Sequence, residues 1–124
     1  NCIAQRSVIT ALEAPPSKVQ YMIDEFKTRR NLILNLLSEI DGFSCNIPEG
    51  AFYVFPDISS FFGKTFKGVK INNATDLSLF LLENALVATV TGDAFGNPNC
   101  IRISYAASQK QIIEAVERIK KSLS

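Results

Sequence analysis

The chain has 124 residues, 47% of them apolar and 20% charged, with 13 Lys and Arg against 12 Asp and Glu. That length suits one domain around a single core, and a formal charge of +1 gives no field for drawing in nucleic acid or an anionic membrane surface. Histidine is absent, which removes the commonest general base and zinc ligand and excludes Ser-His-Asp and Cys-His triads.

The first six residues lack the basic-then-apolar order of a secretion signal and read as the interior of something longer. Ile3, Val8, Ile9 and Leu12 have helical spacing over residues 3–13, and Pro15-Pro16 ends that segment. Ser17 followed by Gln20 predicts a capping box. From there Val19, Met22, Phe26, Ile33, Leu36, Leu37 and Ile40 recur at helical spacing to about residue 40, opposite Lys18, Asp24, Lys27, Arg30 and Glu39. This predicts a long amphipathic helix stopped at Asp41-Gly42.

Residues 43–47 alternate apolar and polar, Pro48-Glu49-Gly50 signals a turn, and residues 51–55 are strongly strand-forming, so a hairpin or tight bend is predicted. Residues 56–72 read as a loop in which Phe61, Phe62 and Phe66 interleave with Lys64, Lys67 and Lys70, a flap over a cleft or partner rather than a nucleic-acid surface. Asn73 predicts a helix cap before residues 74–84, with Asp76 suited to the helix dipole. The apolar stretch over residues 77–90 falls short of the ~18 residues a membrane span needs and is broken by Ser78, Glu83 and Asn84.

Residues 87–90 form a short predicted strand, 91–96 a Gly-bearing loop, and 100–105 another strand. Ser108 and Gln111 repeat the capping-box pattern before a helix lined by Ile112, Val116, Ile119 and Leu123. Cys2, Cys45 and Cys100 are too widely spaced for a metal site, and Cys45 and Cys100, in apolar strand-like runs, read as buried thiols of a reducing, cytoplasmic compartment. Together these elements predict an α+β fold: a two-layer sandwich with helices on a small mixed or antiparallel sheet of three to four strands.

Arg102 is the residue the pattern leaves unexplained. It sits between Ile101 and Ile103, with Tyr105 on their side, so alternation sends Arg102 and Ser104 to the other face. A guanidinium keeps its proton, and its planar fork matches a carboxylate with two parallel hydrogen bonds. Spacing leaves open whether Arg102 is exposed, satisfied by an internal acid such as Asp93, Asp57 or Glu49, or free for a ligand. The 91–96 loop lacks the signature of a nucleotide loop, and Glu49 and Asp57 form no acid/base pair by spacing.

Three stretches then carry a resemblance. Residues 48–55 (PEGAFYVF), 88–96 (ATVTGDAFG) and 101–106 (IRISYA) resemble, in order and spacing, the C-terminal domain of class I aminotransferases, and within them the prokaryotic-type aspartate aminotransferases. The resemblance covers essentially the whole chain, and Ile3-Ala4-Gln5 is similar to the start of the family's interdomain helix. It implies that residues 1–16 are a remnant of that helix and residues 17–124 the small domain, with the large cofactor-binding domain absent.

The resemblance places the family's substrate α-carboxylate ligand on Arg102, and positions lining the substrate cleft on Gly50 and Phe52. Thr91 stands where the family usually has Pro. The implied cofactor is pyridoxal phosphate, which supplies the electron sink for ping-pong transfer of an amino group from an amino acid, aspartate or similar, to a 2-oxo acid. Its lysine and phosphate loop belong to the large domain; Lys70 has the wrong surroundings for that duty, and this chain alone would be inactive. Implied partners are those small molecules, the chain's own large domain and a second copy in a homodimer. Other readings are a stand-alone carboxylate-binding module, an interaction domain, or the same domain from a pyridoxal-phosphate lyase. If truncation is correct, residues 3–12 and the Phe61-Phe62 loop should expose apolar surface.

Overall fold

A computed structural model describes all residues, 1–124. Helix α1 spans Cys2–Glu13, with the Asn1 side chain accepting from the Ile3 and Ala4 amides, and it buries none of its residues. A short 3-10 turn at Pro16–Lys18 leads into α2, Gln20–Ser38. The expected Ser17–Gln20 box does not form: Ser17 lies inside the 3-10 turn, and Gln20 Nε2 donates instead to Asp24 one turn on. The proline pair moves the helix start past Ser17, so its hydroxyl has no first-turn amide in reach. Helix α2 ends at Ser38 with Glu39 as its cap, short of the predicted stop at Asp41-Gly42, and Gly42 takes a φ of +112° in the turn beyond.

Strand β1 is only Tyr53–Val54, β4 is Val90–Thr91 and β5 is Ile101–Ser104. They form an antiparallel sheet in the order β1-β5-β4. The predicted pairing of residues 43–47 with 51–55 is corrected: β1 pairs with β5, Tyr53 opposite Ser104 and Val54 opposite Ile103. Ser44 makes a single bridge to Asp57, which bridges in turn to Cys100. Residues 45–56 separate Ser44 from its bridge partner Asp57, a span that one Pro-Gly turn does not close, and β1 within it pairs with β5 instead.

The 56–72 segment is not a structureless flap. It holds a 3-10 turn at Ser59–Phe61 and a hairpin of β2, Thr65–Phe66, with β3, Val69–Lys70. Lys67 and Gly68 make its turn with φ of +46° and +82°, the doubly positive geometry that matches strand twist. Phe61 is only 2% exposed and stacks edge-on with Phe43 and Phe66, so the expectation of an exposed Phe61-Phe62 patch is wrong. Rings that seal the end of the domain's own core gain more by burial there than at its surface.

Helix α3, Ala74–Ala85, is capped by the Asn73 side chain accepting from the Asp76 amide, as the sequence predicts. Helix α4, Gln109–Ser122, carries the complete Ser108–Gln111 capping box. Helix α2 packs on α4, and α4 on α3. The core between helices and sheet includes Ile33, Leu37, Leu77, Phe80, Leu81, Val54, Ile101, Ile103, Ile112, Val116 and Ile119. Helices thus cover one face of the sheet, the α+β sandwich expected. No helix is long and apolar enough to cross a membrane. Helix α1 leaves Ile3, Val8, Ile9 and Leu12 exposed, as expected of residues 3–12.

Candidate functional site

The four residues of β5 alternate as the period-two reading requires. Ile101 and Ile103 are buried, Arg102 is half-buried and Ser104 exposed, while Tyr105 joins the buried side. Register with β1 puts Tyr53 beside Ser104 and brings Phe55 to the level of Arg102; register with β4 sets Val90 opposite Arg102. Tyr53, Phe55, Val90, Arg102 and Ser104 therefore share the sheet face that carries no helix.

On this face the Arg102 Cζ lies 4.4 Å from the centroid of the Phe95 ring and 5.3 Å from that of Tyr53. The chain's ion pairs are Arg29–Glu25, Arg118–Glu114 and Lys120–Glu39, so Arg102 takes no part in one. The acids that could have closed on it are engaged elsewhere or lie apart. Asp93 Oδ2 accepts from Thr91 Oγ1 at 2.7 Å, and Asp57 Oδ1 accepts from the Ser59 amide at 2.9 Å and hydroxyl at 2.6 Å. Of the alternatives left open for Arg102, the internal carboxylate pair is thereby removed.

The loop before β5 is built on a close approach. Gly92 begins a 3-10 turn, Gly92–Phe95, and is buried; a Cβ there would meet the carbonyl oxygens of Asn97 and Cys100 well inside 3.0 Å. Its amide donates to the Cys100 carbonyl at 2.8 Å, tying the loop to the base of β5. The turn ends on Gly96, and Phe95 is thrown over Arg102 and against Phe55, rings edge-on at 6.1 Å. Thr91 supplies the hydroxyl that donates to Asp93.

Gly50 and Phe52 lie elsewhere. They line an apolar groove of about 450 Å³ between the 48–52 turn and the first half of α2, together with Val19, Met22, Phe26 and Tyr105. The predicted stripe of α2 is therefore split: Ile33 and Leu37 enter the core, whereas Val19 and Met22 stay exposed along the groove. Arg102 does not line that groove; the link is Phe52, whose ring meets Tyr53 edge-on at 6.1 Å. The turn itself is held by Tyr105, whose hydroxyl donates to the Ala51 carbonyl at 3.1 Å, with Ala51 at φ +62°. Burial raises the Tyr105 phenol above its ordinary range, so the hydroxyl keeps the proton it donates.

The residues of this chain do not fit a cofactor site by themselves. Every lysine is exposed, Lys70 included, which pairs with Thr65 at the edge of the β2–β3 hairpin. The structure sets Tyr53 and Phe95 beside Arg102, neighbours that sequence reasoning did not assign to it. Tyr53 was legible from alternation along β1, once β1 was known to neighbour β5; nothing local points a loop phenylalanine at that arginine.

Against known proteins, the family model "Aminotransferase class I and II" matches residues 2–119. The chain belongs to that family. It is 43% identical over 118 residues to an aspartate aminotransferase of Rhizobium meliloti, covering 94% of this chain and 29% of that protein. It is 45% identical over 125 residues to a bifunctional aspartate aminotransferase and glutamate/aspartate-prephenate aminotransferase of Petunia hybrida, covering 98% of this chain and 26% of the relative. A crystal structure of the aspartate aminotransferase from Rhizobium meliloti superposes with a TM-score of 0.93 at 41% identity, over 98% of this chain and 30% of the other. An alanine aminotransferase from Pyrococcus furiosus superposes at 0.83, with 32% identity, 95% of this chain and 28% of the other. The chain thus spans less than a third of the aminotransferases it matches, and corresponds to their C-terminal part.

Proposed function

We propose that this aminotransferase domain is the substrate-clamping small domain of an enzyme that moves an amino group between an amino acid, aspartate or a close analogue, and a 2-oxo acid. The observation that carries the reading is Arg102: a half-buried guanidinium on the helix-free face of the sheet, without an ion pair inside the chain. A shielded guanidinium gains most from an acceptor of matching planar geometry, and the α-carboxylate common to both substrates is one.

Residues 17–124 form the domain proper, and residues 1–16, whose helix buries nothing here, are the remnant of the connection to a large domain. The exposed Ile3, Val8, Ile9 and Leu12 support a covering partner there. That large domain would hold pyridoxal phosphate, which when bound supplies the electron sink for transamination. What this chain contributes is binding and orientation: Arg102 fixes the carboxylate end, and the Gly50–Phe52 turn forms a wall as the domain closes and excludes water. A homodimer and a cytoplasmic setting complete the proposal.

The test is Arg102→Lys in the full-length enzyme. Lysine keeps the charge but loses the two-pronged fork, so kcat/KM should fall by about 1.5–3 kcal/mol with the melting temperature little changed. An unchanged kcat/KM with a large loss of thermal stability would make Arg102 a structural residue and end the proposal.

A further inference from the structure

Resting on the carboxylate-clamp reading of Arg102, we infer that Phe95, assisted by Tyr53, is a positioning residue that sets the guanidinium by its ring face and leaves the N–H edge free for substrate. Both rings lie inside the ~6 Å range over which an aromatic face attracts a cation, at 4.4 Å for Phe95 and 5.3 Å for Tyr53. A long arginine side chain on an open sheet face has many rotamers, and something must choose among them. Hydrogen-bonded acceptors would do so by using the donors that a carboxylate needs. An aromatic face holds the same group through its π surface and uses none of its five N–H donors.

The chain places Phe95 for this at some cost. Its ring is 46% exposed and takes no place in the core. It is directed by the turn Gly92–Phe95, whose first residue has no space for a side chain and whose amide is tied to Cys100 beside β5. Phe55, just past the end of β1, meets the Phe95 ring edge-on. Asp93, in the same turn, accepts from the Thr91 hydroxyl and makes no ion pair with Arg102.

The experiment uses the full-length enzyme with aspartate as donor and succinate, a dicarboxylate with neither amino nor oxo group, as a competitive probe. Phe95→Leu keeps an apolar side chain but removes the ring face, so aspartate KM and succinate Ki should both rise about 3- to 30-fold, with kcat within about 2-fold. Phe95→Tyr should restore both, and Tyr53→Leu should move them in the same direction by less. In an Arg102→Gln background, Phe95→Leu should change Ki by less than about 2-fold, because its effect passes through the guanidinium. If Arg102→Gln weakens succinate while Phe95→Leu and Tyr53→Leu do not, the clamp stands and this inference is overturned. An equal Phe95→Leu effect in both backgrounds also overturns it, since the ring would then act independently of Arg102. If Arg102→Gln itself leaves Ki unchanged, the clamp reading fails first and the inference with it.

Discussion

Two glycines in the proposed site should respond to the same substitution in opposite ways. At Gly92 an added methyl group would press on two backbone carbonyl oxygens, Asn97 and Cys100, which cannot rotate away as a side-chain end can. To make room the loop must move off β5, stretching the 2.8 Å bond from the Gly92 amide to Cys100 and the 3.1 Å bond from the Asn97 amide to the Gly92 carbonyl. Overpacking of about 1–3 kcal/mol and a weakened bond worth about 0.5–1.5 kcal/mol together predict a loss of about 2–4 kcal/mol for Gly92→Ala. At Gly50 an added methyl meets nothing within 4 Å, and its φ is not positive. Gly50→Ala should therefore change stability by less than about 0.5 kcal/mol, while lowering kcat/KM of the full-length enzyme if that turn closes on another surface. Urea unfolding of the two variants beside the parent chain measures both, and the Gly92→Ala midpoint should fall by more than about 1 M. A Gly92→Ala variant within 0.5 kcal/mol of the parent, as an estimate of assay error, would refute the close approach. A Gly50→Ala loss of similar size to that at Gly92 would make Gly50 structural instead.

Tyr105→Phe removes the hydroxyl that donates to the Ala51 carbonyl and should cost about 0.5–1.5 kcal/mol by denaturant titration; no loss would mean the left-handed turn is held by other contacts. The Asp76 carboxyl is held below its ordinary range chiefly by the Asn72 amide N–H and then by the Asn72 side chain. Its contribution to stability is thus present above the unfolded-state value and lost as pH falls through the folded one, so Asp76→Asn should flatten the acid limb of a stability–pH profile. Burial, followed by the proximity of Cys100, pushes the Cys45 thiol up to about 11, and burial also raises Cys100, whereas Cys2 is exposed. A thiol reagent at pH 8, a choice well below those raised values, should label Cys2 promptly in the native chain, half-buried Cys45 more slowly and buried Cys100 only after unfolding; labelling of Cys100 as fast as Cys2 would contradict its burial.

Much of this molecule was determined by local rules that act within a few residues. The caps at Asn73 and Ser108 need only a side-chain oxygen three residues before an open amide, and both form as read. Alternation in β5 needs only the pleat, so the separation of Arg102 from Ile101 and Ile103 was legible before any partner strand was known. The Ser17 box failed for an equally local reason, the prolines that shift where α2 begins. Tertiary structure decided what depends on pairing at a distance. That Tyr53 lies near Arg102 follows from β1 choosing β5 rather than the 43–47 segment, a choice between strands with similar local preferences. That Phe61 is core, Phe95 is not, and Met22 lines a groove all depend on which apolar surfaces meet. The hydrophobic effect is non-directional, so composition states how much apolar surface must be covered, and only the packed chain decides by what.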